Sequence, residues 1–319
     1  MLFFGGFTVN GEYKSRAGET VLHGSILDCL LRKKNGETVE KSEISQLKSE
    51  DLLLTCMLDE NNRMNESLNS FTALIYGKSY KSNFPGNYLA IHENNPLQDR
   101  IFDQNLMKTV FLPMIQMKKS IITIECRENN EINQINQETQ LSYERNLIGR
   151  ILEILLTITH EKEIFIVVPH RAQRVSIEKM LISQFSSRKL ARNKIKVDTV
   201  DKMQGQESSI VIISYLFFNK SQISNESSFL FDRRRINVSI SRAKNLCILL
   251  GSSSIFYPPV DVLSDYFSSI AYQHLFAFYS LSILQSSRFQ FSLELNNSLI
   301  YDDFVTFFFI IYFWPYSFY

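Results

Sequence analysis

The sequence predicts an α/β fold, a mostly parallel β-sheet covered by helices on both faces. Three observations carry this. Short continuous apolar runs recur at strand length: "IITIEC" from Ile121, "EIFIVVP" from Glu163, "KIKVDTV" from Lys194, "SIVIISYLFF" from Ser209 and "NLCILLGS" from Asn245. Stretches with apolar residues at helical spacing alternate with them, about 10–15 residues each. Continuous apolar runs, unlike alternating ones, mark strands buried on both faces, as parallel sheets require. Polar turns, "PHRAQ" and "DKMQGQE", follow two of the strands, and ligands of such sheets sit at the carboxyl ends of strands.

The bulk composition fits a globular chain. Of 319 residues, 45% are hydrophobic and 21% charged, and the net charge is +1. Any nucleic-acid contact must therefore come from a local patch. The four cysteines form no C-x-x-C pair, which argues against a zinc site or a disulfide scaffold and for an intracellular, reducing compartment, nucleus or cytoplasm.

In chain order, residues 12–60 read as helical: "SILDCLLRKK" has helical spacing, and "SEISQLKSEDLLLTCML" resembles a capped helix. Next come a short amphipathic helix, "ESLNSFTALIY", and a turn-rich loop, "GKSYKSNFPGN". After the first strand, the glutamine- and asparagine-rich 128–140 segment reads as a loop. The helices "YERNLIGRILEILLTI", "AQRVSIEKMLISQF" and "FDRRRINVSISRAK" then alternate with the remaining strands. Residues 256–299 read as a helical extension. The aromatic end, 300–319, is expected outside the fold: about 11 apolar residues precede Pro315, short of the ~20 that a membrane span needs. A tail anchor is the weaker alternative, so a membrane partner is not expected.

Four blocks resemble, in order, the C-terminal RecA-like lobe of superfamily-1 helicases, in the 5′-to-3′ branch of the nonsense-decay and Okazaki-fragment enzymes. They are "LDENNRMNESLNSFTALIYGKSYKS", "IFIVVPHRAQ", "VDTVDKMQGQESSIVI" (motif V) and "RRRINVSISRAKNLCILLGS" (motif VI). Together they cover roughly residues 50–255; the family domain is drawn at 51–255, with 1–50 as the remnant of a helical inter-lobe segment. The last two blocks are specific in combination. The resemblance implies a P-loop NTPase-type lobe that works with ATP, Mg²⁺ and a single strand of DNA or RNA.

It also implies roles. Arg63 and Arg242 stand where the family has arginine fingers, planar permanent cations that stabilise charge on a transferring phosphoryl group; the plain alternative is a surface ion pair. Glu207 is the expected acceptor for ribose hydroxyls. Gly205 allows close backbone approach, and Gln204 lies in the turn between the two ligands. Asn62 occupies a base-facing position where an aromatic is usual, and it cannot stack. Thr199 is a phosphate contact on the nucleic acid or a strand residue serving its own backbone. Arg171 and Gln173 touch the nucleic-acid backbone or the neighbouring motif. Arg234 and Arg235 hold their helix against the motif V turn, contact phosphates, or form a solvated face. Asn237 caps or bridges, Lys244 is a helix-end charge, and His170, where the family has Tyr, is given no chemistry.

The phosphate-cradling G-x-x-x-x-G-K-[ST] loop and a metal-binding DExx strand end are absent from the 319 residues. The chain is therefore expected to begin where a first RecA-like lobe ends, to hold no Mg²⁺ ligands and to be inactive alone, with a separate N-terminal lobe as its partner. The alternative is a non-catalytic module that binds nucleic acid or a partner.

Overall fold

The computed structural model describes residues 60–76, 79–91, 103–128, 136–159, 163–185, 194–203, 205–284, 288–293 and 299–300. All of them belong to one compact unit, Asp59–Phe307. The helices expected before residue 60, the aromatic end beyond 300 and Gln204 lie outside the described residues.

The described chain opens with a two-residue strand, β1 (Glu60–Asn61), helix α1 (Glu66–Tyr76) and β2 (Lys81–Ser82), which pairs with β1. A helical segment over 104–116 leads into β3 (Ile121–Glu128), α2 (Gln137–Ile158), β4 (Ile164–Val168), α3 (Arg171–Phe185) and β5 (Ile195–Thr199). A 3₁₀ turn (Val200–Met203) then precedes β6 (Ser208–Tyr215). Three short helices follow, α4 (Lys220–Asn225), α5 (Ser227–Leu230) and α6 (Arg233–Ile240), and lead to β7 (Ala243–Ser252). The chain continues through α7 (Ser253–Phe256), α8 (Val260–Ser264) and the 19-residue α9 (Tyr266–Leu284) to β8 (Arg288–Leu293) and β9 (Leu299–Ile300).

All five expected strands form, and they assemble in one sheet of order β5-β4-β6-β7-β3-β8-β9. Every pairing from β5 to β8 is parallel; only β9 is antiparallel. Side chains alternate across it. Ile122, Ile124, Ile164, Ile166, Ile210, Ile212, Leu246 and Ile248 meet α2, α3 and the 104–116 helix on one face. Ile121, Phe165, Val167, Val211, Ile213, Cys247 and Leu249 meet α1, α6 and α9 on the other. Every residue of β6 is buried, which is why its sequence reads as an unbroken apolar run.

Three boundaries differ from the sequence reading. Helix α2 begins inside the supposed 128–140 loop, because the Asn136 side chain caps it by accepting from the Thr139 N–H; its first turn is polar, so periodicity gave no signal there. Helix α6 stops at Ile240 rather than running to Lys244, since Ala243 already pairs with Ser208 at the start of β7. The 256–299 extension is not purely helical, as β8 adds a parallel strand beside β3. What ties the extension to the sheet is buried Glu125, whose carboxylate accepts from Tyr279 OH at 2.7 Å and Ser253 Oγ at 2.8 Å. No helix among the described residues is long and apolar enough to cross a membrane.

His274 on α9 carries a pH-dependent term. It is buried, its ring lies 4.6 Å from that of Phe71, and Nε2 has no hydrogen-bond partner. Burial, with Arg233 adding to it, lowers its pKa from 6.5 to about 4. The unfolded chain therefore takes up the proton first, and stability falls as pH drops from about 6.5 to about 4. Buried Glu144 acts in the opposite sense over part of this range, so the difference between wild type and H274L isolates the effect. Denaturant unfolding at pH 7 and pH 4.5 should show the wild type losing on the order of 2 kcal/mol relative to H274L.

Candidate functional site

The predicted residues gather at two opposite ends of the sheet, not at one. The "DKMQGQE" turn leaves the carboxyl end of β5, crosses β4 through the 3₁₀ turn and arrives at the amino end of β6. The expectation that both polar turns lie at the carboxyl ends thus holds for "PHRAQ" but fails for the second half of motif V. The cause is topological: β5 and β6 run parallel with β4 between them, so their connection must travel the sheet's length.

At the amino end, Arg63, Glu207 and Lys244 form a compact charged cluster. Arg63 Nε donates to Glu207 Oε2 at 2.8 Å, and Arg63 Nη1 donates to the Ser241 carbonyl at 2.8 Å. Lys244 Nζ lies 2.6 Å from the other carboxylate oxygen, Oε1. Lys244 is therefore a strand residue facing Glu207, not a helix-end charge. Its hydrogen bond, then that of Arg63, holds the Glu207 carboxyl below the ordinary value. Arg242 lies beneath the same turn, donating from Nε to the Val238 carbonyl and from Nη1 to the Gln206 carbonyl, both at 3.1 Å. It thereby joins the end of α6 to the loop that carries Glu207. Gly205 sits in that loop at φ 79°, the left-handed region. A Cβ there would meet nothing within 4 Å, so in the free lobe conformation rather than crowding selects glycine.

Buried asparagines hold Arg63 in place. Asn61 Oδ1 accepts from the N–H groups of Arg63 and Met64 at 2.9 and 3.1 Å, and Asn61 Nδ2 donates to Asn69. Asn65 Nδ2 reaches Ser120 Oγ and the Asn87 and Asn245 carbonyls, while its N–H donates to the Lys244 carbonyl. Sequence reasoning missed these two residues and misplaced Lys244; for the asparagines the signal was available, since they recur at 61, 62, 65 and 69 around a short loop. Asn62 is exposed and accepts from Asn83 Nδ2 at 2.6 Å.

At the carboxyl end, a pocket of about 390 Å³ is lined by Arg171, Arg174, Asp198, Thr199 and Lys202. Arg174 and Lys202 add to the predicted Arg171 and Thr199. Gln173 is absent from it: only 2% exposed, it points inward, where Oε1 accepts from the His170 N–H and Nε2 donates to Glu144. Arg234 is exposed. Arg235, by contrast, packs its guanidinium 4.3 Å from the Phe229 ring and pairs with Asp201 at 3.4 Å and Asp232 at 3.7 Å. Arg235 thus bridges the start of α6 to Asp201 of the motif V turn. His170 also has a part: it stacks on Phe229 at 5.3 Å, and its Nε2 meets Glu226 at 2.6 Å. No group of His, Cys, Asp or Glu fit to hold a metal occurs among the described residues.

The charged cluster makes a measurable prediction. In a carboxyl-carbon NMR titration Glu207 should titrate below the ordinary 4.5. K244M should raise that value more than R63M does, because the Lys244 bond is the larger cause. Glu207 titrating normally in the wild type would contradict the ion-paired geometry.

A family described as an AAA domain matches residues 39–254. The DNA replication ATP-dependent helicase/nuclease DNA2 of Homo sapiens is 38% identical over 109 residues, 34% of this chain and 9% of that protein. Its namesake from Schizosaccharomyces pombe is 32% identical over 123 residues, 39% of this chain and 8% of the relative. The JHS1 enzyme of the same description from Arabidopsis thaliana is 29% identical over 129 residues, 40% of this chain and 8% of the relative. The matched part thus spans about a tenth of the length of these relatives. With its parallel sheet between two helical layers, the chain belongs to the AAA-domain family, and its RecA-like α/β domain is of the DNA2-like, superfamily-1 helicase-family type.

Proposed function

We propose that this chain is the second motor lobe of an ATP-dependent helicase and that Arg63 and Arg242 are its arginine fingers. The observation that carries the reading is the meeting of Arg63, Glu207 and Arg242's loop at one end of the sheet, from three segments far apart in sequence. Phosphoryl transfer needs positioned cations where charge develops. Two guanidinium groups, one of them paired with a partly exposed carboxylate, meet that need once a separate lobe presents ATP and Mg²⁺. Glu207 is kept ionised, which strengthens it as an acceptor for ribose hydroxyls; Gly205 belongs to the same edge, and Asn62 faces the base without stacking on it.

At the other end, Thr199, Arg171, Arg174 and Lys202 face a nucleic-acid backbone, with Arg234 as an exposed further cation and with Arg235 and Gln173 acting by positioning their neighbours. The relatives' names, which speak of DNA replication, favour DNA over RNA, and a chain that works on DNA belongs in the nucleus or cytoplasm. The pocket at this end also supports a second reading, a nucleic-acid- or partner-binding module without turnover.

A fusion of this chain to the Walker-A-bearing lobe of a relative separates the two. The fusion should hydrolyse ATP in a strand-stimulated manner, and R63A and R242A should each lower kcat by about 10³-fold or more. The chain alone should bind oligonucleotide without turnover. ATP hydrolysis by the isolated chain, or a fusion indifferent to both substitutions, would overturn the motor reading.

A further inference from the structure

Glu144 is a buried carboxylate that the proposed function leaves unused. It sits on α2 with no solvent exposure. Its Oε1 accepts from Gln173 Nε2 at 2.9 Å and from the Ser214 hydroxyl, while Oε2 is buried with no hydrogen-bond partner. Gln173 in turn does something specific. It is the third residue of α3, and its Oε1 accepts the N–H of His170, whose own carbonyl receives the first helical hydrogen bond, from the Arg174 N–H, at 3.2 Å. This is the backward half of a capping box, with glutamine at the third helical position. A primary amide reads both ways, and Glu144 decides which. By taking the NH₂ group, it turns the carbonyl of Gln173 toward His170.

We propose that Glu144 is a positioning residue: through its hydrogen bond to Gln173 it fixes that side chain, and through it the β4–α3 turn, in the orientation from which Arg171 and Arg174 face the pocket beside Thr199. The proposal rests on the reading of that pocket as the nucleic-acid site.

The surroundings favour the neutral acid. On α3, Gln173 is uncharged and Arg174 is committed to Glu178 at 3.0 Å. On α2, Arg145 turns to Ser176 and Glu138, and on β3 Cys126 is a thiol that burial pushes up to about 12. On β6 the neighbour is the Ser214 hydroxyl. None of these is a counter-charge, so burial dominates and raises the Glu144 carboxyl to about 8, against the lowering effect of Ser214 and Gln173. Once ionised, Oε2 becomes a buried charge without a donor, an arrangement of high cost. The nearest remedy is for the Gln173 NH₂ to bridge both oxygens, which draws its carbonyl off the His170 N–H.

The test uses the full chain from pH 7 to 9.5, with two readouts: carbon-detected NMR shifts of the Glu144 carboxyl and the His170 backbone, and the affinity for a fluorescent oligothymidylate. In the wild type both shifts should titrate together near pH 8, and affinity should fall about fivefold, the size of one hydrogen bond's net contribution. E144Q, a neutral isostere, should keep the His170 shift and the affinity constant across the range. E144L should displace the His170 shift and weaken binding at every pH. A purely structural role predicts no difference in pH profile between the wild type and E144Q, and that result would overturn the proposal. So would a His170 shift that ignores the Glu144 titration. If the shifts titrate as expected while no oligonucleotide binds at any pH, the nucleic-acid reading of the pocket fails and the Glu144–Gln173–His170 linkage stands.

Discussion

The parallel pairing of β6 with β7 is the constraint on which the rest of this unit depends. Its register sets Ser208 opposite Ala243, with a shift immediately after, and the Ser208 N–H donates to the Arg242 carbonyl at 3.0 Å. This brings the last residue of the motif V turn, Glu207, beside the strand residue Lys244. Ala243 and Asn245 are buried, whereas Lys244 between them is partly exposed. A one-residue slip would send Lys244 into the core and turn Ala243 toward Glu207. The unbroken burial of β6 makes such a slip costly, so core packing fixes the geometry of the charged cluster.

Helix α6 links the two ends that this register separates. A strand of eight residues such as β6 spans about 26 Å at ~3.3 Å per residue, and the residues expected to hold nucleotide and nucleic acid lie near its opposite ends. The helix begins at Asp232, whose carboxylate caps the Arg234 and Arg235 N–H groups, and Arg235 reaches Asp201 beside the carboxyl-end pocket. It ends at the Val238 carbonyl and Ser241, where Arg242 and Arg63 are held. Displacement of either terminus moves the other through a stiff element of about 12 Å, eight residues at ~1.5 Å each.

The strands were legible because burial on both faces leaves an unbroken apolar signature, and the resemblance singled out Arg63, Glu207 and Arg242. Sequence did not reveal the end of the sheet to which each belongs. The chemistry of "DKMQGQE" says nothing of a connection that crosses β4; strand order decides it, and strand order is a long-range property. Lys244 was misread for a related reason, since only the strand pairing shows where α6 must stop. Gln173 was expected outside and lies inside because its partner, Glu144, is 29 residues away on another helix. Asn136 caps a helix whose first turn is polar, and β8 became visible only once β3 offered it an edge.

The central claim is that Arg63 is a phosphate-seeking cation parked on Glu207. The direct measurement is a crystal structure of the lobe joined to a Walker-A lobe, with ADP and aluminium fluoride bound. The account predicts that the Arg63 guanidinium leaves Glu207 Oε2 for the fluoride group, while Lys244 keeps its hold on Oε1. A complex in which Arg63 remains on Glu207 and the Ser241 carbonyl, with the phosphate analogue contacted only from the other lobe, would contradict it.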